Sequence, residues 1–230
     1  MPKSKWLEAY ARDFDTVELN NSFYRLPTAA QFLRWKESVP PDFLFSVKAS
    51  RFLTHLKRLR DPEAPLDLLL TRASELGSRL GPILYQLPPR WVPDEDRLRV
   101  FIDAMPREVK AGQSHISLKH VLEFRDERGY LEPVVGLLRA RDVTLCVHDM
   151  NGSQSPRLVT NNLAYVRFHG YGAKYGGSYP AATLESWASW LNELLHHGVD
   201  VFAYFNNDID GHAVHDARRL KSMLSGWVAR

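Results

Sequence analysis

Phe14-Asp15-Thr16-Val17-Glu18-Leu19-Asn20-Asn21-Ser22-Phe23-Tyr24-Arg25-Leu26-Pro27 is the stretch from which the rest of the chain can be read. Residues 16–20 alternate apolar and polar with period two, so Val17 and Leu19 share one face of a strand while Thr16, Glu18 and Asn20 share the other. A carboxylate and an amide therefore leave the strand's end on the same side. Later stretches at residues 43–48, 83–87, 121–125, 143–148, 164–169 and 200–206 repeat the arrangement. Each is a short apolar run that alternates with polar residues and finishes on a hydrogen-bonding or charged side chain.

Between these runs the period changes to that of a helix. Trp6, Leu7, Tyr10 and Phe14 recur at three- and four-residue spacing with Ser4 as the expected cap, and Thr28 is placed to cap a helix running to about residue 38, where Pro40-Pro41 stops it. Further helices are expected over about 65–80, 94–104, 131–141, 183–196 and 212–228. Residues 51–60 read as a polar, basic loop, 115–125 as a stretch holding a strand whose clearest part is 121–125, and 149–161 as a loop, and a glycine- and tyrosine-rich loop at 170–179 reads as a flexible lid. Strands and helices alternate almost throughout, which argues for parallel strands joined by helical crossovers, an α/β sheet or barrel. Seven strands are expected in one domain, since no linker divides the 230 residues.

Composition sets the outer bounds. With 44% hydrophobic and 25% charged residues the chain is ordinary globular protein, not a disordered or membrane class. No apolar run is long enough to span a bilayer, and the start Met-Pro-Lys-Ser-Lys-Trp lacks the apolar core of a secretion signal. Cys146 is the sole cysteine, which excludes an internal disulfide and fits a reducing compartment, so the expected location is cytoplasmic. It lies inside an apolar run and reads as a small buried hydrophobe. A net charge of +3, spread along the chain, is too weak to argue for nucleic acid, whereas a small anionic ligand needs only a local positive site.

With the apolar residues of each strand turned toward the helices, the opposite face near the carboxyl ends is left with Glu18 and Asn20, Lys48, Gln86, Glu123 and Arg125, His148, Arg167 and His169, and Tyr204 and Asn206. Barrel interiors are ordinarily filled by branched aliphatic residues and barrel active sites lie at the carboxyl ends of the strands, while buried charge without a partner or ligand is costly. The bland alternative is that these charges pair among themselves and fill a polar interior.

Residues 14–27, Phe45-Ser46-Val47-Lys48-Ala49 with Thr54-His55, Leu84-Tyr85-Gln86-Leu87-Pro88-Pro89, Glu123-Phe124-Arg125, Tyr165-Val166-Arg167-Phe168-His169-Gly170 and Tyr204-Phe205-Asn206-Asn207-Asp208 together resemble the YecE-like family, domain of unknown function seventy-two. The resemblance runs from the first helix to the last and implies a TIM barrel without supplying a reaction. Two departures stand out. Members usually begin with a further strand carrying a Gly-Thr-Ser-Gly-Trp-like block, so the first barrel strand is expected to be absent here. A tryptophan that often follows the Glu-Phe-Arg block is replaced by Gly129-Tyr130.

The favoured chemistry is a metal-free, cofactor-free acid/base enzyme acting on a small anionic or polyhydroxylated metabolite. Lys48, Arg125 and Arg167 supply positive charge, and Glu18, Glu123, His148 and His169 supply acid and base, with Lys48 also able to form a Schiff base. Asn20, Tyr24, His55, Gln86, Tyr204, Asn206, Asn207 and Asp208 are expected to contact substrate, and an anion is expected between Arg167 and the turn before the last helix, where Asp208 competes as a cap. A metal-dependent hydrolase or isomerase using Glu18, Glu123, His148 and His169 is the alternative; the neighbouring cations disfavour it. His212 and His215 on the last helix read as solvated or capping groups. Binding of nucleic acid through Arg51, His55, Lys57, Arg58 and Arg60 is a third reading, weakened by the scarcity of interleaved aromatics. The residues do not indicate an oligomeric state.

Overall fold

The computed structural model describes residues 5–172 and 175–224. The chain forms two compact units, Met1–Phe124 and Arg125–Arg230.

In the first unit, α1 (Trp6–Tyr10) leads into β1 (Thr16–Leu19), followed by α2 (Ala29–Glu37), β2 (Leu44–Lys48), α3 (Glu63–Ala73), β3 (Leu80–Gln86), α4 (Glu95–Asp103) and β4 (His120–Glu123). The four strands are parallel neighbours in chain order, with Glu18 beside Ser46, Lys48 beside Leu84 and Gln86 beside Glu123. Local chemistry starts the helices. Thr28 and Gln31 form a reciprocal capping box at α2, and the Asp94 carboxylate accepts from the Arg97 N–H at α4. Ser4 lies outside the described residues, and Lys5 stands at the start of α1 without a side-chain cap.

Three expectations for this unit change. The helix expected over 65–80 ends at Ala73 and continues as the tighter turn Ser74–Arg79, where Gly77 takes φ +62°. The basic loop contains a π-helix, Phe52–Leu56. The strand expected within 115–125 is found in its clearest part, as β4, but an antiparallel hairpin, Glu108–Ala111 with Ser114–Ser117, precedes it; Gly112, at φ +62°, supplies the left-handed residue that a tight hairpin turn needs.

In the second unit, α5 (Glu132–Ala140), β5 (Thr144–Met150), β6 (Leu163–Phe168), α6 (Ala181–His196), β7 (Asp200–Phe205) and α7 (His212–Met223) follow in order. The three strands are parallel, with His148 beside Arg167 and Arg167 beside Tyr204. The loop expected at 149–161 contributes a two-residue strand, Ser153–Gln154, antiparallel to the end of β5. Val147, Val166 and Phe168 face Leu184, Trp187 and Leu191 of α6 and Leu220 of α7. Phe168 stacks on Phe205 with centroids 4.4 Å apart and meets Trp187 edge-on at 5.0 Å. Each such side chain, fully removed from water, contributes about 1.5–3 kcal/mol.

Seven parallel strands alternating with helices place the chain in the α/β class of the TIM (β/α) barrel. Among the described residues no helix is long and apolar enough to cross a membrane. Cys146 is buried inside β5.

Candidate functional site

Parallel neighbours at the same register point to the same side of a sheet. In the first unit this rule sets Glu18, Ser46, Lys48, Gln86 and Glu123 on one face, while Phe45, Val47, Ile83 and Tyr85 occupy the other. Glu18 and Lys48 are each 9% exposed and Glu123 is fully buried. Asn20 ends the strand and begins the short helix Asn21–Tyr24.

That short helix is fastened to β2 by Ser22, whose hydroxyl lies 2.6 Å from the Lys48 carbonyl oxygen and 2.7 Å from that of Leu19. The attachment brings Phe23 under the Lys48 ammonium, 4.3 Å from Nζ to the ring centroid, a cation–π contact. His55, from the π-helix, meets the other part of the ring edge-on at 4.9 Å, and its Nδ1 is 2.9 Å from the Thr54 hydroxyl. Burial lowers the His55 pKa, and the charges of Lys48 and Arg51 lower it further, so the imidazole is neutral near pH 7. Gln86 is half-buried on β3, whereas Tyr24 is 76% exposed and turns away to an apolar pocket.

In the second unit one face carries His148, Arg167 and Tyr204 in one row across β5, β6 and β7. His169 lies one step beyond Arg167 on the same side. Arg125 Nη2 donates to His169 Nε2 at 2.8 Å and Arg167 Nη1 donates to the same nitrogen at 3.4 Å. A guanidinium has no acceptor, so Nε2 must hold the lone pair and the imidazole is neutral, with its proton on Nδ1. Arg167 and His169 are both 2% exposed. Arg125 also reaches the Met150 sulfur at 3.0 Å, and His148 Nε2 lies 3.2 Å from the Ser153 hydroxyl.

The turn after β7 has a different architecture from the one expected. Asp208 is exposed and makes no side-chain cap, and Gly211, left-handed at φ +75°, precedes α7. The Ala213 N–H is taken by the Asn207 carbonyl at 3.1 Å. Asn207 is fully buried, its amide donating to the Gly177 carbonyl and to Asp216, each at 2.9 Å. Asn206 donates its backbone N–H to the Phe168 carbonyl at 2.7 Å.

Tyr179, expected in a flexible lid, is 1% exposed; Gly170 N–H donates to its hydroxyl and its own N–H donates to Asp216 at 3.0 Å. Tyr171 and Tyr175 are exposed, and Tyr175 meets His169 edge-on at 5.7 Å. Residues 173–174 lie outside the described residues.

Four residues of this architecture escape a reading of the sequence: Ser22, Phe23, Asp149 and Asp216. Asp149 accepts from Gln154 Nε2 at 2.7 Å; it falls on the Val147 side of β5, opposite His148, where the period of two leads one to expect an apolar residue, so the alternation gave no signal for it. Among the described residues no three His, Cys, Asp or Glu side chains are grouped so as to hold a metal ion, and that includes His212 and His215.

The model of a family described as "Protein of unknown function DUF72" matches residues 1–229. The chain belongs to the DUF72 family. It is 27% identical over 251 residues to the UPF0759 protein YunF of Bacillus subtilis strain 168, covering 96% of this chain and 86% of that one. It is 38% identical over 107 residues to the UPF0759 protein YecE of Escherichia coli K12, a match spanning 46% of this chain and 39% of that protein. Among solved structures it resembles a DUF72 family protein from Thermotoga maritima MSB8, with 26% identity, a TM-score of 0.83 and coverage of 97% and 90% of the two chains. A DUF72 family protein from Enterococcus faecalis V583, at 18% identity and TM-score 0.79, covers 95% of this chain and 87% of its own and shares the fold. The polar rows described above therefore sit on a DUF72 scaffold.

Proposed function

We propose that this DUF72 protein is an acid/base enzyme, independent of metal, that acts on a small anionic or polyhydroxylated metabolite at the carboxyl ends of its strands in a reducing, cytoplasmic setting. The observation that carries the reading is the Arg125–His169–Arg167 cluster, buried at Arg167 and His169 and half-buried at Arg125. Two guanidiniums converge on one neutral imidazole at 2.8 and 3.4 Å, at the strand end where barrel enzymes place their chemistry. Positive charge concentrated in a poorly solvated position attracts a carboxylate or phosphate, and the planar fork of arginine suits either group. The His169 lone pair is taken by the two guanidiniums, so this ring orients them, and acid/base work in this unit falls to His148 on the neighbouring strand. In the first unit, Glu18, Lys48 and Glu123 at the ends of β1, β2 and β4 offer the same class of groups, and the neutral His55 ring adds a second base.

Calorimetric titration with phosphate, sulfate and small phosphorylated or carboxylated metabolites tests the reading, with uncharged polyols alongside. The native protein should bind an anion, and Arg167→Gln or the less buried Arg125→Gln should weaken it roughly 10-fold or more while circular dichroism stays unchanged. Binding of polyols alone moves the substrate to a neutral class. Equal anion affinity in the native protein and both variants overturns the role of the cluster.

A further inference from the structure

The first unit contains a pocket of about 700 Å³, within the range of about 300–1,000 Å³ common to small-molecule sites. Phe23, Tyr24, Leu26, Phe52 and Leu68 form its apolar walls. Tyr24, Phe52 and Leu68 are 76%, 49% and 47% exposed, so three large apolar side chains stand in water around one concavity. Apolar surface gathered in this way marks a binding site more often than single exposed residues do.

The wall is shaped by unusual backbone. Phe52 belongs to the π-helix Phe52–Leu56, a rare form that is frequent at functional sites. Just beyond it Arg58, Leu59 and Asp61 hold φ of 49°, 67° and 42°, a region unfavourable for residues with a Cβ. Leu59 anchors the segment, being 1% exposed and donating its N–H to the Leu53 carbonyl at 3.1 Å. The Lys57–Asp61 ion pair at 2.9 Å closes the turn from outside.

Charge on the lining is divided. Lys57 and Asp61 answer each other, Glu63 stands in the first turn of α3, and Arg51 stands on the side of His55 and Lys48, whose ring and ammonium both contact Phe23. An anion entering the pocket is repelled from Glu63 and drawn to Arg51. We propose that this pocket binds a ligand with a flat apolar body and one anionic group, an aryl carboxylate or aryl phosphate, with its ring against Phe23, Tyr24 and Phe52 and its charge on Arg51. The proposal does not rest on the reading of the strand ends, since neither Lys48 nor His55 lines the pocket.

Calorimetry with 2-naphthoate, the neutral 2-naphthylmethanol and the cationic 2-naphthylmethylammonium tests it on the full chain. Naphthoate should bind one per chain and tightest of the three. Arg51→Gln should weaken naphthoate roughly 10-fold and leave the neutral compound unchanged, and Leu68→Glu should weaken both. Arg51 and Leu68 are exposed, so both variants should keep the native melting temperature. Equal affinity for all three compounds, insensitivity to Arg51→Gln, or absence of binding overturns the proposal. So does a dimer in sedimentation that Leu68→Glu dissociates, because the patch would then be an interface between two copies.

Discussion

Asp216 stands on α7 among His212, His215, Arg218 and Arg219, a polar setting that reads as a solvated helix face. It is fully buried. Its carboxylate accepts from the Ser178 hydroxyl at 2.7 Å, the Tyr179 N–H at 3.0 Å, the Asn207 amide at 2.9 Å and Arg219 Nη1 at 3.1 Å. One side chain thus joins the loop after β6, the turn after β7 and the last helix. An asparagine in its place keeps the shape but sets its NH₂ either against the Tyr179 N–H and the Asn207 NH₂ or against the Arg219 guanidinium, none of which accepts, so Asp216→Asn should destabilise the protein by about 3 kcal/mol in urea denaturation. Arg219 is 38% exposed, and Arg219→Gln should cost about 1 kcal/mol or less because solvent already screens that partner. If the two variants lose equal stability, the carboxylate owes its importance to the ion pair alone. The partners at 178, 179 and 207 come together only in three dimensions, so the local polar pattern could not announce them.

Among the elements, strand phase was legible because side-chain alternation is a local property of extended backbone. Glu18, Lys48, Gln86 and Glu123 in one unit, and His148, Arg167 and Tyr204 in the other, share a face as the period of two requires. Loops were legible only where their backbone needs coincide with composition. The glycines and tyrosines of the loop at 170–179 lead one to expect a lid, yet Gly177 serves close packing: at φ +75°, a Cβ there would run into the Tyr171 carbonyl oxygen. Gly172 has the same φ with open space around it. Gly172→Ala should therefore cost about 1–2 kcal/mol, the usual left-handed penalty, while Gly177→Ala should cost clearly more and raise the rate of proteolysis within the loop. Equal melting temperatures for the two variants would show that the loop yields without resistance. The π-helix at 52–56 had no comparable signal, since Phe-Leu-Thr-His-Leu carries no period that separates it from an irregular turn.

Stability of the whole molecule is coupled to pH through His120, at the start of β4 and 2% exposed. Its Nε2 faces the Pro106 carbonyl oxygen at 2.8 Å, which only accepts, so Nε2 carries the proton and Nδ1 accepts from the Tyr85 hydroxyl at 3.2 Å. Burial lowers its pKa to about 4 against the support of the Pro106 carbonyl, and Arg107 adds to the depression. Below pH ~6.5 the unfolded chain binds a proton that the folded chain refuses, so stability is complete above that pH and falls as the pH drops toward 4. The loss reaches about 3 kcal/mol, from about 2.5 pH units at about 1.36 kcal/mol each. Melting curves between pH 7 and 4 should show this decline, and His120→Gln should flatten it; an unchanged slope would assign the acid sensitivity to other groups. The sequence by itself determined the α/β class, the number of parallel strands, their phase and the polar residues at their ends, because period, capping and turn chemistry act over a few neighbouring residues. Only the tertiary structure decided that Asp216 and Asn207 are buried ties, that Phe23 lies between Lys48 and His55, and that Arg125 and Arg167 share the His169 nitrogen. Those relations depend on burial and on contacts between residues far apart in the chain, which no local pattern encodes.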